Sequence, residues 1–260
     1  MRILYMGNNW LGLEILRWLK DQGENIVGLV LHPAEHQKFK QEIIQTVEID
    51  RSCIFDASRL RKPNVYEAVK ALEPDIGLSI LLGYILKPRF IDLFPAGCIN
   101  LHPALLPFNR GGYPNVWSII EGTPSGATLH YIDSGIDTGD IIAQQEVSSE
   151  PIDTGKTLYW KLMKASKNLF MKTWPQIKSG KVRVSEKKRE QGTYHIDKDV
   201  ERIDHIDLES TYIARELINI LRARTFAPYP GAYFVHEGQK VHLRLQLIYE
   251  EDLENLGKDS

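Results

Sequence analysis

Two periods of apolar residues run through most of the chain. Short, nearly continuous apolar runs at Arg2–Met6, Ile26–Leu31, Cys53–Phe55, Asp75–Leu82 and Gly97–Leu101 alternate with stretches in which apolar residues recur every three or four positions. The runs predict strands, the nearly unbroken one at Asp75–Leu82 buried on both faces, and the stretches predict helices over Trp10–Asp21, Lys38–Val47 and Asn64–Leu72. In the first helix Leu11, Ile15, Leu16 and Leu19 share one face, Asn8 or Asn9 stands at the N-cap and Gly23 marks the stop. Strands alternating with helices predict an α/β fold built on a doubly wound parallel sheet.

The pattern changes further along. Val116–Glu121 reads as a short helix. Ala127–Ile132 and Ile141–Val147 alternate apolar with polar residues around a Gly-rich turn, which predicts an antiparallel pair. Thr157–Ile177 is a long amphipathic helix that Thr154 would cap. From Ser179 to Arg202 the chain is polar, with seven Lys/Arg against five acids, and reads as a solvated connector. A helix over Leu208–Arg224 and a hairpin of Tyr233–Val235 with Lys240–Ile248 complete the expectation. The division expected is a large α/β unit over residues 1–180 and a small C-terminal region over residues 181–260, made of a helix and a β-hairpin.

Composition narrows the function classes. The 260 residues are 43% hydrophobic and 25% charged, which is ordinary for a globular chain and unlike a disordered one. With 32 Lys+Arg against 34 Asp+Glu, the net charge of −2 provides no overall cationic field for nucleic acid or an anionic membrane. Two cysteines, Cys53 and Cys98, do not make a disulfide framework. The longest apolar stretch, Ile76–Leu86, is far short of the ~20 residues of a membrane span. No apolar leader opens the chain, and a cytoplasmic protein is expected.

Three segments carry candidate chemistry. Gly7-Asn-Asn-Trp-Leu-Gly12 turns from strand into helix, where helix N–H groups meet phosphates. It departs from the G-x-G-x-x-G of dinucleotide sites, so a nicotinamide cofactor is not expected; a tight turn and a polar ligand beside Asn9 and Trp10 both stay open. Asn100 and His102 lie two apart at a strand's carboxyl end, so their side chains share a face just before Pro-rich backbone. A carboxamide there is a neutral donor to a developing oxyanion, and an imidazole is a proton acceptor. Asp133-Ser-Gly-Ile-Asp137-Thr-Gly139-Asp140 reads as a hairpin turn or a carboxylate site, and its spacing does not match a calcium loop, so no metal is expected. No G-x-S-x-G motif points to a covalent intermediate.

In order, Asn100-x-His102-Pro, Leu105-Leu-Pro107, Arg110-Gly, Gly122-Thr-Pro-Ser-Gly-Ala-Thr-Leu-His130 and Asp137-Thr-Gly139 closely resemble the folate-dependent formyltransferase family, and Leu81–Leu86 and Arg222–Phe234 extend the match. The family includes glycinamide ribonucleotide, methionyl-tRNA and sugar N-formyltransferases. The resemblance implies a Rossmann-like catalytic domain that uses N10-formyltetrahydrofolate as co-substrate. It implies Asn100, His102 and Asp137 as the catalytic residues. It places the folate against Leu82, Gly83, Tyr84, Ile85 and Leu86 with Asp133, Ser134 and Asp137. Ala104 stands where the family commonly has Ser.

Within the family the acceptor expected is a nucleotide-linked amino-dideoxysugar, with dTDP as the first carrier, formylated at its 3- or 4-amino group for surface polysaccharide such as lipopolysaccharide O-antigen. Tyr113-Pro-Asn-Val-Trp117 and Gly192-Thr-Tyr-His195 are similar to those enzymes, and the 29 residues after Gly231 are expected to be too few for a tRNA-binding barrel. Asn9, Trp10, Arg110, Tyr113 and Tyr229 are the candidate acceptor contacts, with helix packing the other reading of Tyr113 and Trp117. A homodimer is implied by the same relatives. The alternatives are a hydroxyornithine-type amine, methionyl-tRNA, or a folate-binding module without turnover.

Overall fold

A computed structural model describes residues 1–185 and 192–253. Its elements are β1 (Arg2–Gly7), α1 (Asn9–Asp21), β2 (Asn25–Leu31), α2 (Lys40–Thr46), β3 (Ile54–Asp56), α3 (Pro63–Ala71), β4 (Ile76–Ile80), α4 (Pro88–Ile91) and β5 (Cys98–His102). These are followed by β6 (Arg110–Gly111), α5 (Pro114–Glu121), β7 (Ser125–Tyr131), β8 (Ile141–Val147) and α6 (Gly155–Lys178). The last part holds β9 (Tyr194–His195), α7 (Asp199–Asp204), α8 (Ala214–Ala223), β10 (Tyr233–His236) and β11 (Gln239–His242).

Seven strands form one sheet in the order β3-β2-β1-β4-β5-β7-β8. The first five are parallel, and β7 and β8 add antiparallel, as their alternating pattern predicts. The apolar run of β1 follows from burial on both faces. Ile3 and Tyr5 join a core with α1 and α6, including Leu16, Phe170 and Trp174, whereas Leu4 and Met6 join a second core with Val30, Phe90 and Phe94. Thr154 and Thr157 form a reciprocal capping box that starts α6. The strand order reverses between β1 and β4, and open α/β sheets bind ligands at the carboxyl ends beside such a point. No helix among the described residues is long and apolar enough to cross a membrane.

Three details depart from the sequence pattern. The helix expected from Leu208 begins at Ala214, because the Asp207 carboxylate accepts hydrogen bonds from Ser210 Oγ (2.7 Å) and Glu209 N (3.1 Å) and holds a turn there. The second hairpin strand ends at His242 instead of continuing to Ile248. The segment read as a connector supplies β9 and α7, and β9 pairs with β6 through only two residue pairs, too few to show any hydrophobic period.

Candidate active site

Strand alternation places Asn100 and His102 on one face at the end of β5, and the antiparallel register with β7 sets His130 opposite Asn100. The turn after β7 delivers Asp137. Asp133 Oδ1 accepts from Gly135 N (2.9 Å) and Thr138 Oγ1 (2.5 Å), Asp137 itself has a φ of 51°, and a Cβ at Gly139 would lie 1.9 Å from the Tyr131 carbonyl oxygen. Only glycine fits that approach.

Three side chains and one backbone N–H converge on the Asp137 carboxylate. Asn100 Nδ2 donates to Asp137 Oδ1 at 3.3 Å and lies 3.1 Å from His130 Nε2. Asp137 Oδ2 accepts from the Gly111 N–H at 2.9 Å and lies 3.7 Å from His102 Nε2. Carbonyl oxygens assign the protons on both rings. His130 Nδ1 sits 2.8 Å from Tyr131 O and must donate, and its Nε2 lies between Asn100 Nδ2 (3.1 Å) and Asp137 Oδ1 (3.5 Å). His102 Nε2 sits 3.0 Å from Asn109 O and must donate, which leaves Nδ1 as its basic nitrogen. Burial by itself would push the Asp137 carboxyl up. The charge of His102, the hydrogen bond and charge of His130, and the Gly111 N–H outweigh it and hold Asp137 well below the usual carboxylate range.

These groups open onto a cavity of about 1030 Å³. That is at the top of the roughly 300–1,000 Å³ range for one small-molecule ligand, so a donor and an acceptor can be held together. Of the expected folate contacts, Leu82, Gly83, Tyr84, Ile85, Leu86, Asp133 and Asp137 line it, and Ser134 does not. The loop after β4 turns through positive φ at Leu81 (57°) and Gly83 (68°), leaving Ile85 57% exposed beside buried Leu82 and Leu86. Beneath it the His32 ring packs edge-on to Tyr84 at 5.2 Å, and burial lowers the His32 pKa, which favours a neutral imidazole. An apolar slot edged by turn backbone fits a flat, hydrogen-bonding pterin. Among the described residues, no group of three or more His, Cys, Asp or Glu is placed to hold a metal ion.

Of the expected acceptor contacts, Asn9, Trp10, Tyr113 and Tyr229 line the cavity. Arg110 does not; its side chain turns back to the Thr193 carbonyl and the face of Tyr194. Trp117 takes the packing role, stacked at 4.0 Å and 7° on His195. Sequence reasoning passed over His130, although it ends a quoted motif, because nothing in one strand announces its cross-strand register. It also passed over Lys38, Tyr159, Trp160, Phe226 and Asp197, all on the cavity wall. Edge-to-face contacts join Trp10 to Trp160, Trp160 to Tyr159, Tyr159 to Phe226 and Phe226 to Tyr229, at centroid distances of 5.3–5.4 Å. Lys38 Nζ donates to Tyr229 OH at 2.7 Å, and Asn9 Nδ2 donates to Tyr159 OH at 2.8 Å.

Residues 1–174 match the formyl transferase family, and residues 199–249 match the N-formyltransferase dimerization C-terminal domain. The chain is 33% identical over 244 residues to a methionyl-tRNA formyltransferase of Geobacillus thermodenitrificans, a match covering 91% of this chain and 74% of that protein. The solved structure of a 4-N formyltransferase from Francisella tularensis matches with a TM-score of 0.79 and 29% identity, over 95% of this chain and 98% of that one. The formyltransferase PseJ from Anoxybacillus kamchatkensis, solved with UDP-4,6-dideoxy-4-formamido-L-AltNAc and tetrahydrofolate, matches with a TM-score of 0.58 and 31% identity, over 78% and 89%.

Proposed function

The chain belongs to the formyl transferase family, and from that premise we propose that it formylates the 3- or 4-amino group of a nucleotide-linked amino-dideoxysugar. It is a formyl-transfer enzyme that uses formyl-tetrahydrofolate. The co-substrate supplies an activated formyl group held through nitrogen.

The chain's own residues do the rest. Leu82–Leu86 and the turn at Asp133 hold the pterin. Asn100 turns an N–H from its 3.3 Å bond with Asp137 to the formyl oxygen, where negative charge grows. His102 takes the proton from the attacking amine and returns one to the leaving nitrogen as the new C–N bond replaces the old. Asp137, 3.7 Å from His102 Nε2, stabilises the imidazolium formed between those steps.

The observation that carries the acceptor reading is the aromatic wall running from Trp10 to Tyr229, with the Lys38 ammonium beside it. Stacking faces next to a cation suit a nucleobase and its diphosphate. Among the described residues Lys38 has no acidic partner, so its charge is available to phosphate. The named relatives divide: the curated protein is a methionyl-tRNA enzyme, and PseJ was solved with a UDP-linked formamido sugar. Release of tetrahydrofolate with dTDP-, UDP- and GDP-linked 3- and 4-aminosugars, run beside methionyl-tRNA, tests the reading. Activity on a sugar nucleotide alone supports it; activity on methionyl-tRNA alone overturns it.

A homodimer belongs to the same proposal. Leu208 and Ile213 on the approach to α8 are 62% and 65% exposed, and Val235 and Val241 on the hairpin present further apolar surface. These positions fall within residues 199–249, and sedimentation of the purified chain as a monomer at micromolar concentration would refute the pairing.

A further inference from the structure

Among the described residues, three carboxylates line the cavity: Asp133, Asp137 and Asp197. The first two are committed, Asp133 to its own turn and Asp137 to the catalytic cluster. Among the described residues, Asp197 has neither a cation nor a hydrogen-bond donor as partner.

Its position is fixed by the backbone around it. Arg110 N donates to Thr193 O at 3.1 Å, Gly112 N to His195 O at 2.9 Å, and Asn109 N to Thr193 Oγ1 at 2.8 Å. The His195 ring is stacked on Trp117, and its Nε2 lies 3.0 Å from Glu121 Oε1. The approach demands glycine against backbone at Gly111 and Gly192, and at Gly112 leaves room for the Asp197 carboxylate. A Cβ would lie 2.2 Å from His195 O at Gly111, 2.1 Å from Asp197 Oδ1 at Gly112, and 2.2 Å from Pro107 O at Gly192. Gly111 is also the residue whose N–H holds Asp137. The strap over Gly192–Asp197 thus sets a carboxylate against Gly112, the neighbour in the chain of Gly111, whose N–H holds the Asp137 carboxylate.

We propose that the Asp197 carboxylate recognises the acceptor's amino group in its cationic form and delivers it to His102. An alkyl amine is largely protonated at pH 7, and a cavity that must accept it needs an anion not already neutralised. Asp137 cannot serve in that way, because His102, His130, Asn100 and Gly111 surround it. The inference takes from the preceding reading only that the acceptor is a primary amine.

The test uses full-length wild type, Asp197→Asn, Asp197→Ala, Gly112→Ala and the Gly112→Ala/Asp197→Ala double variant. The probes are dTDP- and UDP-linked 4-amino-4,6-dideoxysugars, methionyl-tRNA, and the matching 4-hydroxy sugar nucleotides as inhibitors. For whichever amine wild type formylates, Asp197→Ala should raise its KM about ten- to a hundredfold, the size of a charge-assisted contact. Asp197→Asn should fall between, with kcat and the KM for the formyl donor within about threefold of wild type. The 4-hydroxy analogue of an aminosugar that wild type formylates should inhibit all the proteins equally. Gly112→Ala, whose methyl group displaces Asp197, should raise the amine KM and add nothing in the double variant. An unchanged amine KM in Asp197→Ala overturns the proposal, as does an equal loss of affinity for the hydroxy analogue. If wild type acts on methionyl-tRNA alone, the aminosugar reading fails while the same KM comparison still judges Asp197.

Discussion

Two parts of one cavity are built in opposite ways. On the sheet side, the side chains of His130, His102 and Asp137 are 2%, 8% and 12% accessible, and their polar atoms are tied into one network with Asn100 and Gly111. On the other side, Tyr113, Tyr194 and Tyr229 are 44%, 43% and 48% exposed and make ring contacts in place of a buried network. The first region is held in place: its polar side chains fix one another before substrate arrives, and on the proposed reading only the Asn100 N–H has to turn to the formyl oxygen. The second region is adaptable, and on the proposed reading its stacking faces suit a class of molecule more than one orientation of one atom. Transfer and selection are therefore separable, and substitutions should sort by region into kcat and KM effects.

The largest effect should come from the buried side. Asn100→Ala is expected to lower kcat by about 10²–10³, the loss typical of one oxyanion donor, while leaving the acceptor KM near wild type. His102→Asn should fall at least as far. A variant of either residue that kept half its turnover would break the division of labour. Asp137 adds a pH test. Its folded-state carboxyl is held well below the usual range, so the stability it lends is fully present above the unfolded value of about 3.9 and is lost as pH falls through the folded value. Melting curves of wild type and Asp137→Asn should differ most near neutrality, and the gap should begin to close as pH falls below about 4. A gap that stays constant to pH 2.5 would mean that Asp137 is not held as an anion.

A second, smaller effect tests the seam between the regions. Gly111 has a φ of +85°, its N–H holds Asp137 Oδ2, and a Cβ there would collide with the His195 carbonyl oxygen. Gly111→Ala should cost about 1–3 kcal/mol of stability through backbone strain. It should be the one substitution that lowers kcat and raises acceptor KM together, since it moves the Asp137 carboxylate and the strap at once. If kcat alone fell in steady-state assays, the strap would have no part in acceptor binding.

The same division decided what could be read from the sequence. Period-two spacing at the end of β5 was enough to pair Asn100 with His102, and the apolar runs gave the parallel strands their places. His130 needed the register between β5 and β7, which depends on the length of the intervening loop and on both strands at once. The strap at Gly192–Asp197 lies in a stretch whose charges resemble those of any solvated connector, and only its pairing with two residues of β6 gives it a place. Trp117 shows the reverse case, in which the sequence left two readings open and the packing one holds. An aromatic residue beside the Arg-Gly-Gly segment resembled a sugar contact, and the structure buries it under His195. Buried positions follow periods that one strand or helix displays by itself. Exposed aromatic walls are assembled from residues 10, 159, 160, 226 and 229, which no local window contains.

The smallest predicted effect probes whether the exposed wall acts through rings or through hydroxyls. Tyr229 OH accepts a hydrogen bond from Lys38 Nζ at 2.7 Å, linking the loop before α2 to the loop after α8 across the cavity mouth, while the Tyr229 ring stacks edge-on to Phe226. Tyr229→Phe keeps the ring and removes the link. An exposed hydrogen bond of this kind contributes about 0.5–1.5 kcal/mol, so acceptor KM should rise between about two- and tenfold. Since the Lys38 ammonium then loses the one hydrogen-bond partner it has among the described residues but keeps its charge, the low end of that range is expected if its main partner is substrate phosphate. Added salt separates the cases: phosphate attraction at an exposed site is screened, so wild type and Tyr229→Phe should show the same rise of KM with ionic strength. A Tyr229→Phe enzyme that has lost the salt dependence would place the phosphate contact on the tyrosine-positioned ammonium, and the wall would then be as preorganised as the sheet side.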